Sequence, residues 1–232
     1  MKHIKPYKIF ESASPNFPTT REEVIQVCEN YEIKNYTIND DLSIDISGGV
    51  FLRNKKLEYL PLRFNYVSGS FNCSYNRKLR SLKGSPQRVG GDFICEYNEL
   101  KTLEGCPQKV GKDFYCSYNE LKTLEGCPQT VGGDFRCSDN ELKTLEGCPQ
   151  TVSGGFDCKF NKLTDLEHSP EVNGIIAIRG NPVDLLVHTF IETADSFMIE
   201  DFVDYEIVRN RDTVMLDRLE TFIRDNDLKM PT

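Results

Sequence analysis

LKTLEGCPQKVGKDFYCSYNE, residues 100–120, is one copy of a block that recurs almost letter for letter through the middle of this 232-residue chain. Further copies, the last three of them looser or degraded, begin at Leu121, Leu142, Leu79, Leu57 and Leu163. A repeat of about 21 residues is typical of a solenoid, because each unit buries its apolar face only by stacking on the next unit. The repeat therefore predicts the fold.

The residues that stay constant between copies predict the interior of that solenoid. Phe114-Tyr115-Cys116 alternates inward, outward and inward, which is the pattern of a short strand. Three sets of residues recur at fixed phases and should form inward columns: Phe71, Phe93, Phe114, Phe135 and Phe156; Leu60, Leu82, Leu103, Leu124, Leu145 and Leu166; Asn76, Asn98, Asn119, Asn140, Asn161 and Asn181. An inward Asn can bond to backbone groups that the turn after a strand leaves without partners, so we expect a structural role for this column.

The pattern FxCxxNxL in each copy resembles the LxLxxNxL core of leucine-rich repeats, with Phe and Cys in the first two apolar positions. The other half of the repeat contains a proline, up to two glycines and few helix formers, which favours extended or polyproline-like backbone over helix. We therefore predict a leucine-rich-repeat solenoid with short parallel strands, mostly extended return segments and few helices.

Both flanks of the repeats differ from them in composition. A helix is predicted from Thr20 to Tyr31, because Thr19 or Thr20 can cap it and Val24, Ile25 and Cys28 form an apolar face. After residue 183 the period disappears, and apolar residues at helical spacing predict three short amphipathic helices. The predicted divisions are a flexible arm (1–18), an N-terminal helix and strand cap (19–49), a solenoid of about six coils of 20–22 residues (50–182) and an acidic α-helical C-terminal cap (183–232).

Charge and hydropathy exclude several classes of function. The formal net charge is −8, and residues 183–232 carry 12 acidic and 5 basic side chains, 5 − 12 = −7, so the repeats are close to neutral. Without a basic stripe, nucleic-acid binding is disfavoured. The chain contains no apolar run of about 18 residues that could span a membrane, and its start lacks the apolar stretch of a secretion signal. The chain is therefore predicted to be cytoplasmic.

Eight of the nine cysteines lie at fixed phases of the repeat, and Cys28 lies before the repeats. Side chains in such rows point the same way, so their Cβ vectors do not converge as a disulfide requires. No CxxC or HxxxH spacing indicates zinc. We predict reduced core cysteines.

Positions that vary between near-identical copies predict the binding surface. Three positions vary between copies: the outward strand position, the position two residues later and the position after that. Together they form an aromatic and charged patch, and Tyr and Arg often anchor interfaces. The predicted partner-binding residues are Asn72, Tyr75, Ile94, Glu96, Tyr97, Tyr115, Ser117, Tyr118, Arg136, Asp139, Asp157, Lys159 and Phe160. The alternative to a binding surface is that the variation is sequence drift and that the tyrosines merely cover backbone.

No catalytic motif stands out. His3, His168 and His188 are scattered, and the Gly-Gly pairs belong to the repeat turn. We predict no enzyme, no cofactor and no metal, although the row Asp92, Asp113 and Asp134 leaves calcium binding open because it brings like charges one coil apart.

The segment YTINDDLSIDISGGVFLRNKKLEYLP (36–61) and the GCPQxVGGDFxCSxNELKTLE copies resemble leucine-rich-repeat proteins encoded by large tailed, T4-like bacteriophages. The resemblance implies a protein-interaction module that binds an unidentified host or phage protein inside the bacterial cell. MKHIKPYKIFE also resembles leaders that direct proteins into phage heads, with cleavage after Glu11. A structural or head-packaged protein of the virion interior is therefore the alternative. The oligomeric state and the role of the acidic C-terminal segment stay open, with a monomer favoured.

Overall fold

The computed structural model describes residues 16–184, and beyond them the backbone of two short strands at 208–210 and 213–214. The chain forms a parallel β-solenoid of about six turns with few helices, as the repeat predicts. No helix among the described residues is long and apolar enough to cross a membrane. The predicted leader site at Glu11 and most of the predicted C-terminal helices lie outside the described residues.

One helix, α1 (Arg21–Asn30), precedes the coils. The side chain of Thr20 accepts a hydrogen bond from the Glu23 amide and caps the helix, and Val24 and Cys28 are its buried face. The helix predicted over 20–31 is confirmed. Phe17, which the sequence interpretation included in a flexible arm, lies under the Arg63 guanidinium at 5.6 Å from the ring centre.

Two sheets run along the solenoid. In the first sheet, the antiparallel strand β1 (Tyr36–Ile38) precedes seven strands that are mutually parallel: β2 (Ile44–Ile46), β4 (Phe64–Val67), β6 (Arg88–Val89), β8 (Lys109–Val110), β10 (Thr130–Val131), β12 (Thr151–Val152) and β14 (Glu171–Val172). The second sheet contains β3 (Val50–Phe51), β5 (Phe71–Asn72), β7 (Phe93–Ile94), β9 (Phe114–Tyr115), β11 (Phe135–Arg136), β13 (Phe156–Asp157) and β15 (Ile176–Ala177).

The second sheet continues beyond the repeats. Strands β16 (Val208–Asn210) and β17 (Thr213–Val214) pair antiparallel with each other, and β17 pairs with β15. The sequence interpretation assigned only helices to this part of the chain. Strands of two or three residues are too short to show an alternation that could be distinguished from helical spacing.

The return half of each coil is extended, as predicted, but it also contains a strand. Val67, Val89, Val110, Val131 and Val152 are buried, and each belongs to the first sheet. Between the sheets the backbones of successive coils nearly touch. A Cβ added to Gly111 would lie 2.3 Å from the Gly90 carbonyl oxygen, and one on Gly132 would lie 2.2 Å from that of Gly111. Glycine at this turn therefore permits the coil spacing.

Stacked columns fill the interior. The five phenylalanines from Phe71 to Phe156 are fully buried, and neighbouring ring centres are 5.0–5.6 Å apart. The predicted leucine column is buried as well. Each coil thus buries its apolar face against identical side chains of its neighbours.

The asparagine column (Asn76, Asn98, Asn119, Asn140, Asn161 and Asn181) is buried and bonded to backbone, as predicted. Asn119 is typical. Its Nδ2 donates to the carbonyl oxygens of Cys95 and Cys116, each at 3.0 Å, and its Oδ1 accepts from the Leu100 amide at 3.0 Å. One side chain therefore joins two coils at the point where the chain leaves the strand.

Candidate functional site

The outward residues of the second sheet form one continuous row, here called the strand row. Residue registers pair Asn72 with Ile94, Ile94 with Tyr115, Tyr115 with Arg136, and Arg136 with Asp157. Each of these side chains is half-buried or exposed. The structure therefore brings together the first series of predicted binding residues, because successive coils repeat in register.

The second predicted series is only partly on the surface. Glu96 and Lys159 are half-buried, but Ser117 is 3% exposed, and Ser74 and Ser138 are buried too. The prediction that Ser117 lies on the exposed face of the sheet is wrong. The strand ends after two residues, so its alternation does not extend this far, and the Ser138 hydroxyl donates to the Ser117 hydroxyl at 3.1 Å in the turn that follows.

Tyr115 and Arg136 form a cation–π pair at the centre of the strand row. The Arg136 guanidinium lies 4.8 Å from the Tyr115 ring centre and donates to Asp134 Oδ2 at 3.1 Å. The Tyr115 hydroxyl donates to Asp113 Oδ2 at 2.5 Å. Partial burial, followed by this bond, raises the pKa of Tyr115 above its ordinary value. The two side chains are thus held in one arrangement before any partner binds.

Glu96 lies beside the strand row, and the partial burial of its carboxylate destabilises the fold. Burial raises the pKa of its carboxyl above 4.5, and the guanidinium groups of Arg136 and Arg53 only partly oppose that shift. A carboxylate that loses hydration without a direct ion pair destabilises the fold. Glu96 is therefore a residue that the solenoid does not need for its own stability.

The aspartate row (Asp92, Asp113 and Asp134) is bonded to backbone. Asp92 Oδ1 accepts from the Asp113 amide at 3.3 Å, Asp113 Oδ1 from the Asp134 amide at 2.8 Å, and Asp134 Oδ1 from the Gly155 amide at 2.9 Å. The Gly155 bond lowers the pKa of Asp134 below its usual value. These bonds account for the row, and within the described residues no group of three His, Cys, Asp or Glu side chains could hold a metal ion.

The third predicted series belongs to a set that we call the left-handed column. Its members occupy the same position in successive coils, and each has a positive φ between 53° and 77°: Asn54, Tyr75, Tyr97, Tyr118, Asp139, Phe160 and Gly180. Asn, Asp and Gly tolerate this backbone, whereas it costs other residues about 1–2 kcal/mol. Three tyrosines and one phenylalanine nevertheless occupy it.

The tyrosines of this column stack on one another. Ring centres are 4.3 Å apart between Tyr75 and Tyr97 and 4.1 Å apart between Tyr97 and Tyr118. The Arg53 guanidinium covers the free face of Tyr75 at 4.0 Å from the ring centre. Sequence comparison of the repeats identified Tyr75, Tyr97 and Tyr118 but not Arg53. Extending the repeat alignment back to the first coil would have placed Arg53 next to this column, since Arg53 precedes Asn54, but it would not have shown the contact with Tyr75.

A cleft of about 620 Å³ lies at the first coils, and the sequence interpretation did not identify it. Four basic side chains line it together with one acidic side chain and the first stacked tyrosine: Arg53, Lys56, Arg77, Lys78, Glu58 and Tyr75. Lys78 pairs with Glu58 at 3.3 Å. The cleft gives the N-terminal end of the left-handed column a positive charge.

The cysteines are free, as predicted, and eight of the nine are buried. Burial raises the pKa of the Cys73 and Cys106 thiols to about 12 and that of Cys148 to about 11. At neutral pH these groups remain thiols, which are poor nucleophiles and poor metal ligands. Cys148 Sγ donates to the carbonyl oxygen of His168 at 2.7 Å, so this thiol too is bonded to the next coil.

No protein-family model matches the chain. No curated protein matches it, and no solved structure matches it. The site is therefore defined by the geometry of the strand row and the left-handed column.

Proposed function

We propose that this chain is a non-enzymatic protein-interaction module that binds a protein partner through the strand row and the left-handed column. The observation that carries the proposal is the left-handed column, in which aromatic side chains occupy backbone that disfavours them. Strain of this kind persists where the surrounding structure imposes it, and it is concentrated at functional sites.

The composition of the surface supports the same proposal. Tyrosine contributes a large contact area with only two side-chain torsions, so it loses little entropy when it binds, and arginine is enriched with it at the residues that dominate binding energy. Tyr115 and Arg136 are already fixed by the aspartate row, and Tyr97 and Tyr118 by stacking. Fixed side chains lower the entropic cost of association.

We further propose that the chain is a leucine-rich-repeat protein of tailed-phage type that acts in the cytoplasm of a bacterial host. It rests on the resemblance of residues 36–61 and of the repeat copies. The buried asparagine column is consistent with the LxLxxNxL pattern, because it supplies the same kind of inward polar side chain at the end of each strand.

The test is a pull-down from bacterial lysate with wild type and with the double variant Tyr115→Ala/Arg136→Ala. The matched control is Lys109→Ala/Thr130→Ala, which changes exposed outward residues in adjacent coils of the first sheet. We expect a protein that wild type and the control retain and the double variant loses. Titration of that purified protein should then show at least about a tenfold weaker Kd for the double variant. Identical sets of captured proteins for all three chains would remove the strand row from the proposal.

The alternative, a head-packaged virion protein, rests on Ile9-Phe10-Glu11. Mass spectrometry of purified virions tests it. A chain that begins at Ser12 would support packaging and cleavage, whereas particles with only uncut chain, or with none, would contradict it.

A further inference from the structure

The left-handed column is interrupted at one coil. Tyr118 stacks on Tyr97, and the next aromatic ring in the column is Phe160, two coils further along. Between them stands Asp139 in the same backbone conformation. The interruption is a substitution within a regular series, so the position of the missing ring is known from the coils before it.

The two rings that flank Asp139 each have one covered face. Tyr118 is covered by Tyr97 at 4.1 Å between ring centres. Phe160 is covered by the backbone of Gly180, where an added Cβ would lie 2.5 Å from the Phe160 ring. Both side chains are nevertheless exposed, Tyr118 at 43% and Phe160 at 51%, which fits open faces directed toward the Asp139 coil.

The size of the gap selects a flat group. Parallel strands lie about 4.8 Å apart, so positions two coils apart are separated by about 10 Å. One planar group in van der Waals contact with two rings needs about 7–8 Å, and two such groups would need about 11 Å. The gap therefore admits a single planar layer.

The charge in the gap selects a cation. The Asp139 carboxylate makes no hydrogen bond or ion pair with any other residue in the described part of the chain; only its amide is bonded, to the Lys159 carbonyl at 3.0 Å. The neighbouring Lys159 ammonium is paired with Asp157 at 3.3 Å. An aromatic ring in the gap would strip water from this carboxylate without giving it a partner.

The protein contains its own example of the group that satisfies both requirements. At the other end of the same column the Arg53 guanidinium stacks on Tyr75 at 4.0 Å. A guanidinium is planar, stacks on aromatic faces and pairs with a carboxylate through two parallel hydrogen bonds, whereas an ammonium is compact and does not stack.

We infer that Tyr118, Asp139 and Phe160 form a slot for an arginine side chain of the protein partner. The inference rests on the proposed function, because it names the chemistry by which the partner is recognised. In the slot the guanidinium lies between the two rings and its N–H groups donate to the Asp139 carboxylate. The slot thus adds a specific anchor to the adjoining strand row.

The test uses the intact chain and three blocked tripeptides, acetyl-Gly-X-Gly-amide, in which X is arginine, lysine or citrulline. Citrulline keeps the planar shape of arginine without its charge. Two-dimensional 1H–15N NMR should show saturable shifts of the Tyr118, Asp139 and Phe160 amides with the arginine peptide, at a Kd of about 1–10 mM. The lysine and citrulline peptides should bind about tenfold more weakly. Equal binding of all three, or no saturable shift with arginine, would overturn the slot.

Two variants at one position complete the test. Asp139→Asn keeps a residue type that tolerates positive φ but removes the charge, and should weaken binding of the arginine peptide about tenfold. Asp139→Tyr fills the gap as the preceding coils do, and should abolish binding with no loss of thermal stability. Unchanged binding in either variant would contradict the inference. The peptide result is independent of the pull-down, because the variants of that experiment, Tyr115→Ala and Arg136→Ala, lie outside the slot.

Discussion

Tyr118 and Asn119 are neighbours in the chain, yet the columns to which they belong follow opposite rules. The asparagine column is the same in every coil, buried, and bonded to backbone on both sides. The left-handed column changes from coil to coil, is partly exposed, and holds aromatic side chains in strained backbone. Asparagine side chains form hydrogen bonds with backbone groups, whereas the aromatic rings contact one another by stacking. The first column maintains the solenoid, and the second is free to specialise.

The most direct test of the asparagine column is the substitution Asn119→Ala. The substitution leaves the buried Leu100 amide without its partner and removes one of the two asparagine donors from each of the Cys95 and Cys116 carbonyl oxygens. We expect a loss of about 3 kcal/mol in the free energy of unfolding, since a buried amide left unpaired costs about 1–3 kcal/mol and each further hydrogen bond lost costs about 1 kcal/mol. Reversible chemical denaturation measures it, with Glu120→Ala on the surface as the control. A curve that coincides with wild type would contradict the structural role of the column.

In the left-handed column, variants at Tyr97 separate the contributions of ring stacking and of backbone strain to stability. Tyr97→Ala removes two ring contacts and keeps the positive φ, and we expect a loss of about 2 kcal/mol. Tyr97→Gly also removes the strain and should be about 1 kcal/mol more stable than Tyr97→Ala.

The usual order, in which alanine is more stable than glycine, should hold at exposed Thr102, whose φ is not positive. Parallel denaturation curves of the four variants at positions 97 and 102 give the comparison. Alanine more stable than glycine at both positions would mean that the left-handed backbone carries no strain.

A smaller effect is expected at the turn between the two sheets. A Cβ on Gly133 would lie 2.1 Å from Asp113 Oδ1, so that carboxylate must move. One coil earlier the equivalent residue is Lys112, and there the bond from the Asp113 amide to Asp92 is 3.3 Å instead of 2.8 Å. Gly133→Ala should therefore cost about 1 kcal/mol, the value of one weakened hydrogen bond, while Lys112→Ala should be neutral. A loss at Lys112 equal to that at Gly133 would rule out this reading of the aspartate row.

Glu96 sharpens the contrast through pH. Its folded pKa lies above 4.5, so the folded chain holds the proton more tightly than the unfolded chain, and stability falls as pH rises from 4.5 through the folded pKa. Glu96→Gln should therefore melt at a slightly higher temperature than wild type at pH 7, and this difference should shrink as pH falls below 4.5. Glu125→Gln, at an exposed site, provides the control. A difference that grows toward acid pH would have the wrong sign.

The least effect on the fold is expected from thiol labelling. Cys148 is the one half-buried cysteine of the nine, and its thiol pKa of about 11 keeps it slow to react at pH 8. We expect one thiol to react with an aromatic disulfide reagent in the folded chain and the others only after unfolding. Cys148→Ser should remove that single reaction of the folded chain. Several thiols reacting together would mean that the cysteine columns are open.

The solenoid and its inner columns could be predicted from the sequence because the same residue recurs at every copy, so each repeat confirms the others. Ser117 was misplaced because a strand of two residues has no alternation to extrapolate. The second parallel strand was missed because extended backbone looks the same with or without a neighbour. The left-handed column did leave a signal: Asn54, Asp139 and Gly180 stand at one phase, and these residue types tolerate positive φ. The stack and the Arg53 contact depend on distances that only the fold supplies.

Strands β5, β7, β9, β11 and β13 pair residue for residue with no shift between coils. Because each of these coils pairs with both neighbours in the same register, one coil can take the place of another in the stack. We therefore expect duplication or deletion of one whole repeat to leave a folded chain. Such an event would lengthen or shorten the recognition surface by one step and would change which side chains stand next to each other. New specificities could then arise by rearranging existing coils, without a single amino-acid substitution.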